Sequence, residues 1–543
     1  MKKKGNRKAF EFLTLFVMVI GSVIGAGIYI KNSSIVKETG NPIIAIILWV
    51  IVGIICTLAI IVFMEIASAT KDVGNGTAPN WAKIFINRKT ASFFSLVYTI
   101  ILWPSYYSLF AGTFVYYMLV LIGVDLSAGS QLAIYLSLGI FLLVGFYLFN
   151  GLLPKYSKWV QIGGNIFKFI PLLIALVAGF CMIDSNSAMF NGGFNGAEWS
   201  EKQWEASSFF RGFGGILLSF DAFYFIANSQ KTAKNKDVVP KALFVGMVFA
   251  ALFYVLMAVS LFLGSPDGSI FELFAKMFGE DSKVSAILPP VLMMIICLLS
   301  INMFTAFGMA NLESDVEAKL VYVGKRRGKV SLFKCGSVQI IFTVIVYVAF
   351  TLMGFFIPRA GYSWGSFSNY NKDGILAIAD QPTDFLSIMG SVAAILSFVM
   401  VDILIFACLV NRKTNKVKVD RYKGVPVLGT ISGIAIAVFI IGGLYTYIDV
   451  DPKHVTPFKD TIGLYFLILF IAMLAIVTIA FFIQEALFKK YPFKDGFDGY
   501  LEGEDPIPFF FKINPIQNYF TKKGEEEIYD DEHPRSHKRS NNK

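Results

Sequence analysis

Apolar residues in this chain come in long unbroken runs rather than at every second or third position. Such runs recur at 10–30, 41–68, 92–123, 131–150, 159–182, 208–228, 239–264, 285–310, 335–358, 384–410, 425–447 and 461–487. An α-helix rises 1.5 Å per residue, so about 20 residues cross a hydrocarbon layer of roughly 30 Å. In lipid every backbone polar group needs an internal partner, which a helix supplies. The pattern predicts an all-α membrane protein with twelve transmembrane helices. The first run is too long for a removable signal peptide and lacks a small-residue cleavage site, so it reads as a retained span.

Composition agrees with that reading. The 543 residues are 55% hydrophobic and only 16% charged, against about 25% charged in soluble domains. Lysine and arginine concentrate in alternate connections. Residues 411–424 carry Arg412, Lys413, Lys416, Lys418, Arg421 and Lys423, whereas the connection after the next span holds Lys453 and Lys459. Basic connections stay on the cytoplasmic side, which predicts a multi-pass protein of the plasma membrane with both termini cytoplasmic. The formal charge of +10 then reflects topology. Lys325-Arg326-Arg327 reads as a topology or lipid-headgroup cluster rather than a nucleic-acid site. From Lys489 the apolar pattern fades, and the ending GEEEIYDDEHPRSHKRSNNK reads as disordered.

Several functions are disfavoured by what the runs contain. Cys56, Cys181, Cys297, Cys335 and Cys408 lie in or beside apolar runs with no CxxC spacing, and the three histidines fall outside the spans. No metal site or cofactor is expected, and no nucleophile–base–acid set that would make an enzyme. A phosphate-binding GxxxxGK[ST] is missing from the sequence, so a secondary transporter fits better than an ATP-driven pump.

One stretch departs from plain hydrophobicity. In Gly21-Ser22-Val23-Ile24-Gly25-Ala26-Gly27-Ile28 three glycines sit inside the first span, where each costs roughly 1 kcal/mol against alanine. Gly21-x-x-x-Gly25 is either a helix-packing motif or the place where a helix breaks. The sixth span has a matching interruption: Gly212, Gly214 and Gly215, then Ser219-Phe220-Asp221-Ala222 at mid-depth. Many secondary transporters contain two inverted repeats, each opening with a broken helix. The match favours a break, with five-plus-five spans in repeats at 10–182 and 183–410. Residues 1–9 precede them, two further helices occupy 411–487, and a tail spans 488–543.

These residues resemble the amino acid–polyamine–organocation superfamily of permeases. Gly21 to Ile28 fits its first-helix pattern G-[ST]-x-I-G-x-G-I, and Met64-Glu65-Ile66-Ala67 looks like its acidic end of the second helix. Leu218-Ser219-Phe220-Asp221-Ala222-Phe223-Tyr224 aligns with F-[AS]-F-x-G-[FW]-[DE], and Lys234-Asn235-Lys236 through Pro240 with the loop that follows. The motifs cover about the first 250 residues. Ala222 replaces the usual glycine, Tyr224 the usual acid, and Ala310 stands where an arginine often falls after Asn302.

The resemblance implies an amino acid transporter working by alternating access, driven by protons or by exchange. Its substrate would lie between the unwound parts of helices 1 and 6. Backbone N–H groups around Gly25, Ala26 and Gly27 would cradle the α-carboxylate. Carbonyls near Ser22-Val23 and Ser219-Phe220 would accept the α-ammonium. Phe220 resembles the aromatic that closes over substrate, with Ala222 and Phe223 beside it in the motif. Tyr106 and Tyr107 either line a side-chain pocket or pack. Asp221 either favours a cationic side chain, as in lysine, arginine, ornithine or a polyamine, or pairs with a neighbouring helix. Lys168 lies about ten residues into span 5, too deep to snorkel easily. It resembles a span-5 lysine of proton-coupled members that stands in a sodium ion's place; a buried ammonium can also give up and regain a proton. A purely structural tie to the first span is the alternative.

Asp402 is a further intramembrane acid. Glu65 can join a gate with loop lysines, and Arg211 reads as a surface residue. The expected partners are an amino acid, the bilayer and a coupled proton, with no nucleic acid; no oligomeric state follows from the sequence. A polyamine or organocation exchanger is the alternative transporter, and a non-transporting amino acid sensor the alternative outside that class.

Overall fold

A computed structural model describes residues 12–17, 19–21, 23–24, 26–70, 76–123, 126–190, 209–210, 212–221, 223–225, 238–279, 282–322, 331–356, 375–446 and 462–490. The expected disordered tail beyond residue 490, Arg211 and the loop motif at 234–236 lie outside them. All regular structure among the described residues is helical.

Ten helices are long and apolar enough to span a membrane, and they take in the predicted spans 2–5 and 7–12. Predicted spans 1 and 6 take shorter forms. The first begins as α1, Phe12–Gly21, and resumes as α2, Ala26–Thr39. It therefore runs nine residues beyond the expected end at 30. Lys31 and Asn32 lie just past that end, but no helix-stopping residue occurs before Gly40. There the backbone turns left-handed (φ 67°), Asn41 caps the next helix by accepting from the N–H groups of Ile43 and Ile44, and Pro42 opens it.

That helix is α3, Pro42–Ser68. A short helix α4, Ala78–Phe85, lies in the connection after it. The third span combines α5, Arg88–Val97, a π-turn at Tyr98–Leu102 and α6, Trp103–Ile122. Pro104 cannot donate to the carbonyl one turn back, and the Trp103 N–H reaches Tyr98 O instead, widening the turn. Next come α7, Ala128–Leu152, and α8, Pro154–Cys181. The sixth span contributes α9, Phe213–Phe220, with a tighter 3₁₀ turn at Asp221 and Phe223 to Phe225. The remainder are α10, Val238–Gly264; the connection helix α11, Ile270–Phe278; α12, Lys283–Glu317; α13, Leu332–Phe356; α14, Ile375–Thr414; α15, Val425–Thr446; and α16, Ile462–Lys490.

Helices α3, α12 and α14 pack against α2 or α9, and α6 packs on α12 and α14. The outer helices expose apolar side chains, among them Ile166, Phe167, Ile170 and Leu173 on α8, and Ile471, Ile479 and Phe482 on α16. Continuous apolar surface on a body this size is the mark of a lipid-facing exterior. Described parts of the basic connections meet at one end of the bundle, where Lys83 donates to Ala318 O and Asp420 N to Ser68 Oγ. Two buried ion pairs fasten it: Arg88 to Glu485 at 2.5 Å, and Arg412 to Glu65. Glu65 therefore pairs with an arginine at the end of α14, not with loop lysines, and also accepts from Tyr422 N (3.2 Å).

Candidate functional site

The two interrupted spans meet each other at their glycines. A side-chain carbon added at Gly27 would sit 2.4 Å from Ser219 Oγ, one at Gly212 would meet Thr39 and Ile35 at 3.1–3.2 Å, and one at Gly215 would meet Lys31 at 3.4 Å. The outer halves α2 and α9 thus lie along one another at a spacing that few other residues permit. Gly21 likewise lies against Asn165 of α8. Val23 is still helical and Ile24 N–H bonds Ile20 O at 2.8 Å, α2 begins at Ala26, and Gly21 and Gly27 both serve close packing.

Stopping a helix leaves carbonyls without intrahelical partners. One hydroxyl serves both breaks: Tyr254 of α10 lies 2.5 Å from Val23 O and 3.0 Å from Ser219 O. It is wedged between Trp49 and Phe220, each with its ring centre 5.0 Å away. A third carbonyl, Gly21 O, accepts from the buried ammonium of Lys168, which ties α8 to the end of α1. Ser22, Gly25 and Ala222 lie outside the described residues, so no geometry is assigned to them.

Asp221 caps α9 and is buried. Tyr106 of α6 donates to Oδ2 and Ser397 of α14 to Oδ1, the latter at 2.5 Å. Phe220 packs on Trp49 and Tyr254, and Phe223 on Phe63 at 5.6 Å. The structure thus brings together Val23, Gly27, Ser219, Phe220, Asp221 and Tyr106, with Lys168 at the α1 edge. Tyr107 turns away, donating to Phe304 O at 2.9 Å and packing on Gly308. Asp402 faces Gly433 of α15, away from the gap. Asn302 joins Asn150, Ser157 and Gln161 in a knot between α7, α8 and α12.

Three residues at this site were not legible in the sequence. Tyr254 and Ser397 are neutral side chains inside apolar runs and carry no signal of their own. Lys31 lies just beyond the expected end of the first span at residue 30, although the uninterrupted stretch to Gly40 places it on a helix. It is buried one turn beyond Gly27 and donates to Ser387 O (3.1 Å), Ser387 Oγ (2.5 Å) and Ser391 Oγ (3.0 Å). It joins α2 to α14 on the side of the gap away from the basic end.

Residues 10–483 match the family model described as amino acid permease. The chain belongs to the amino acid permease family. An uncharacterized protein of Mycoplasma pneumoniae is 24% identical to this permease over 77% of the chain and 81% of its own length. The human b(0,+)-type amino acid transporter 1 is 22% identical over 60% of the chain and 64% of itself. The human cystine/glutamate transporter is 20% identical over 57% of the chain and 60% of itself. Matches to the two human relatives therefore span less than two thirds of their lengths. Family membership and ten spanning helices make this permease a multi-pass membrane protein.

Proposed function

We propose that this permease is a secondary active transporter of amino acids that works by alternating access in the plasma membrane, with both termini cytoplasmic. The observation that carries the reading is the pair of helix breaks joined at Tyr254. Two carbonyl groups, Val23 O and Ser219 O, converge where one donor reaches both, which suits an α-ammonium with its three N–H groups. Backbone N–H groups at the start of α2, around Gly25, Ala26 and Gly27, suit the α-carboxylate. Twelve spans in a five-plus-five inverted repeat, followed by two helices, remain the architecture we propose for the whole chain.

Lys168 serves in this reading as a cation fixed beside the first break, and proton symport or exchange drives accumulation. Asp221 gives a preference for cationic amino acids. A cationic side chain reaching it displaces the Tyr106 or Ser397 hydroxyl and gains a stronger, charge-assisted bond. The same carboxylate favours a polyamine or organocation exchanger as the second reading.

Uptake of a labelled amino acid panel into proteoliposomes tests this, with and without a pH gradient or internal amino acid. Saturable uptake of one or more amino acids is expected. With Asp221→Asn, cationic substrates should lose at least tenfold more affinity than neutral ones, and equal loss removes the cationic preference. No transport of any amino acid, with binding retained, leaves the sensor as the better account.

A further inference from the structure

Asp221 stands at the head of a continuous chain of hydroxyls. Ser397 donates to its Oδ1. Ser397 in turn meets the Tyr224 hydroxyl at 2.7 Å, and Tyr224 meets Tyr98. Because the Ser397 proton is committed to the carboxylate, Tyr224 donates to Ser397 and Tyr98 to Tyr224. Three hydroxyls on three elements, the π-turn, the turn after α9 and α14, are thereby aligned toward one acid. Each is buried. On the other carboxylate oxygen Tyr106 closes the chain, packed against Phe304.

The direction of the chain is set by the third span. Tyr98 lies eight residues before Tyr106, about 12 Å nearer the basic end at 1.5 Å per residue. One turn further that way Ser95 donates to Asp315 of α12 at 2.5 Å. The groups facing Asp221 from each neighbouring element are Cys56 on α3, Tyr98 and Tyr106 on the third span, Tyr224 on its own turn and Ser397 on α14. On α2, Lys31 lies against Gly215, six residues earlier, and is bonded to Ser387 and Ser391. Among the described residues the hydrogen-bond partners of Asp221 are all hydroxyls, which both donate and accept. An arginine or lysine partner would hold the acid charged; hydroxyls accommodate either charge state.

We propose that Asp221 is a proton-binding site, loaded and emptied through Ser397, Tyr224 and Tyr98, and that this proton is the one coupled to transport. The inference rests on the transporter reading above. Loading balances atom by atom. Ser397 passes its proton to Asp221 Oδ1 and takes one from Tyr224, Tyr224 takes one from Tyr98, and Tyr98 takes one from a hydronium ion that reaches it when the basic end opens, leaving water behind. Afterwards Asp221 is neutral and donates back to Ser397, and every hydroxyl again holds one proton.

The test uses the full-length permease in liposomes containing a pH-sensitive dye. The probes are the proton and whichever amino acid gives the strongest counterflow in the panel. Wild type should show both counterflow and amino-acid-dependent proton movement. Tyr224→Phe keeps the ring and its packing but removes the hydroxyl. Its counterflow should stay within about twofold of wild type while proton movement falls at least tenfold; retained counterflow also certifies the fold. Ser397→Ala should act in the same direction, and Asp221→Asn should abolish proton movement. Unchanged proton movement in either Tyr224→Phe or Asp221→Asn overturns the proposal. Wild-type counterflow with no proton movement under any gradient overturns it too, while leaving the transporter reading intact. No counterflow in wild type defeats that reading first and this inference with it.

Discussion

A single hydroxyl, that of Tyr254, holds two carbonyls from opposite halves of the chain. It has one proton for two acceptors, so one carbonyl is always under-served. Replacing Tyr254 with Phe leaves both without that donor, at a cost of about 1–3 kcal/mol for buried polar groups. A bound α-ammonium would supply the missing donors. Thermal melting of Tyr254→Phe should therefore fall in the empty protein and recover when amino acid is saturating. The ligand-induced shift should exceed that of wild type; an equal shift would separate Tyr254 from the substrate site. At this scale the sequence was readable wherever a charge interrupted an apolar run. Asp221 and Lys168 stood out because burying a charge is costly. Tyr254 and Ser397 did not, since a hydroxyl inside a hydrophobic helix is ordinary. Lys31 fell one residue past the expected span end at 30, because the first helix runs on to Thr39 before the stop at Gly40.

Elements were legible as long apolar runs and as paired interruptions, and less so where local backbone chemistry decided the form. The π-turn at Tyr98–Leu102 follows from Pro104, yet proline near a span's middle predicts a kink as readily as a widened turn. The connection helices α4 and α11 fell between runs and were not anticipated. What the interruptions meant became clear only from neighbours: Gly27, Gly212 and Gly215 face the partner half-helix, while Gly214 faces α14. The distinction is testable. Gly27→Ala places a carbon 3.0 Å from the Ser219 backbone as well as 2.4 Å from its hydroxyl, so trimming the serine gives no full relief. The strain should cost about 1–3 kcal/mol, read as a lower melting temperature and reduced counterflow. Gly214→Ala meets Ile395 and Ser391 at 3.4 Å and should be nearly silent. Equal damage from both would mean that the close approach of α2 and α9 does not matter.

For the molecule as a whole, the alternation of basic and less basic connections predicts an orientation that the bundle itself does not label. In a Cys181→Ser background, a cysteine at exposed Lys416 should react with a membrane-impermeant maleimide only after the cells are opened. One at exposed Lys283 should react in intact cells, and the reverse pattern would invert the topology. Buried ion pairs fasten the basic end. Among the described residues the opposite end holds the more exposed ion pair of Lys276 with Asp184 at 2.9 Å, together with Lys31 on Ser387 and Ser391, Asn32 on Gly268 O at 2.9 Å, and Ser33 on Asp267 at 2.9 Å. Under the alternating-access reading, buried pairs at one end and more exposed contacts at the other would give the two ends different thresholds for opening.

The close contact of α2 with α9 sets how such an opening would proceed. Two rods interlocked along their length cannot swing separately; torque on one is delivered to the other. Gly40, left-handed and with open space where a side chain would stand, is a natural pivot for the pair. Rotation there would break the Lys31 latch and bare the Val23 and Ser219 carbonyls in a single stroke, so admission from that side and assembly of the binding site become one event.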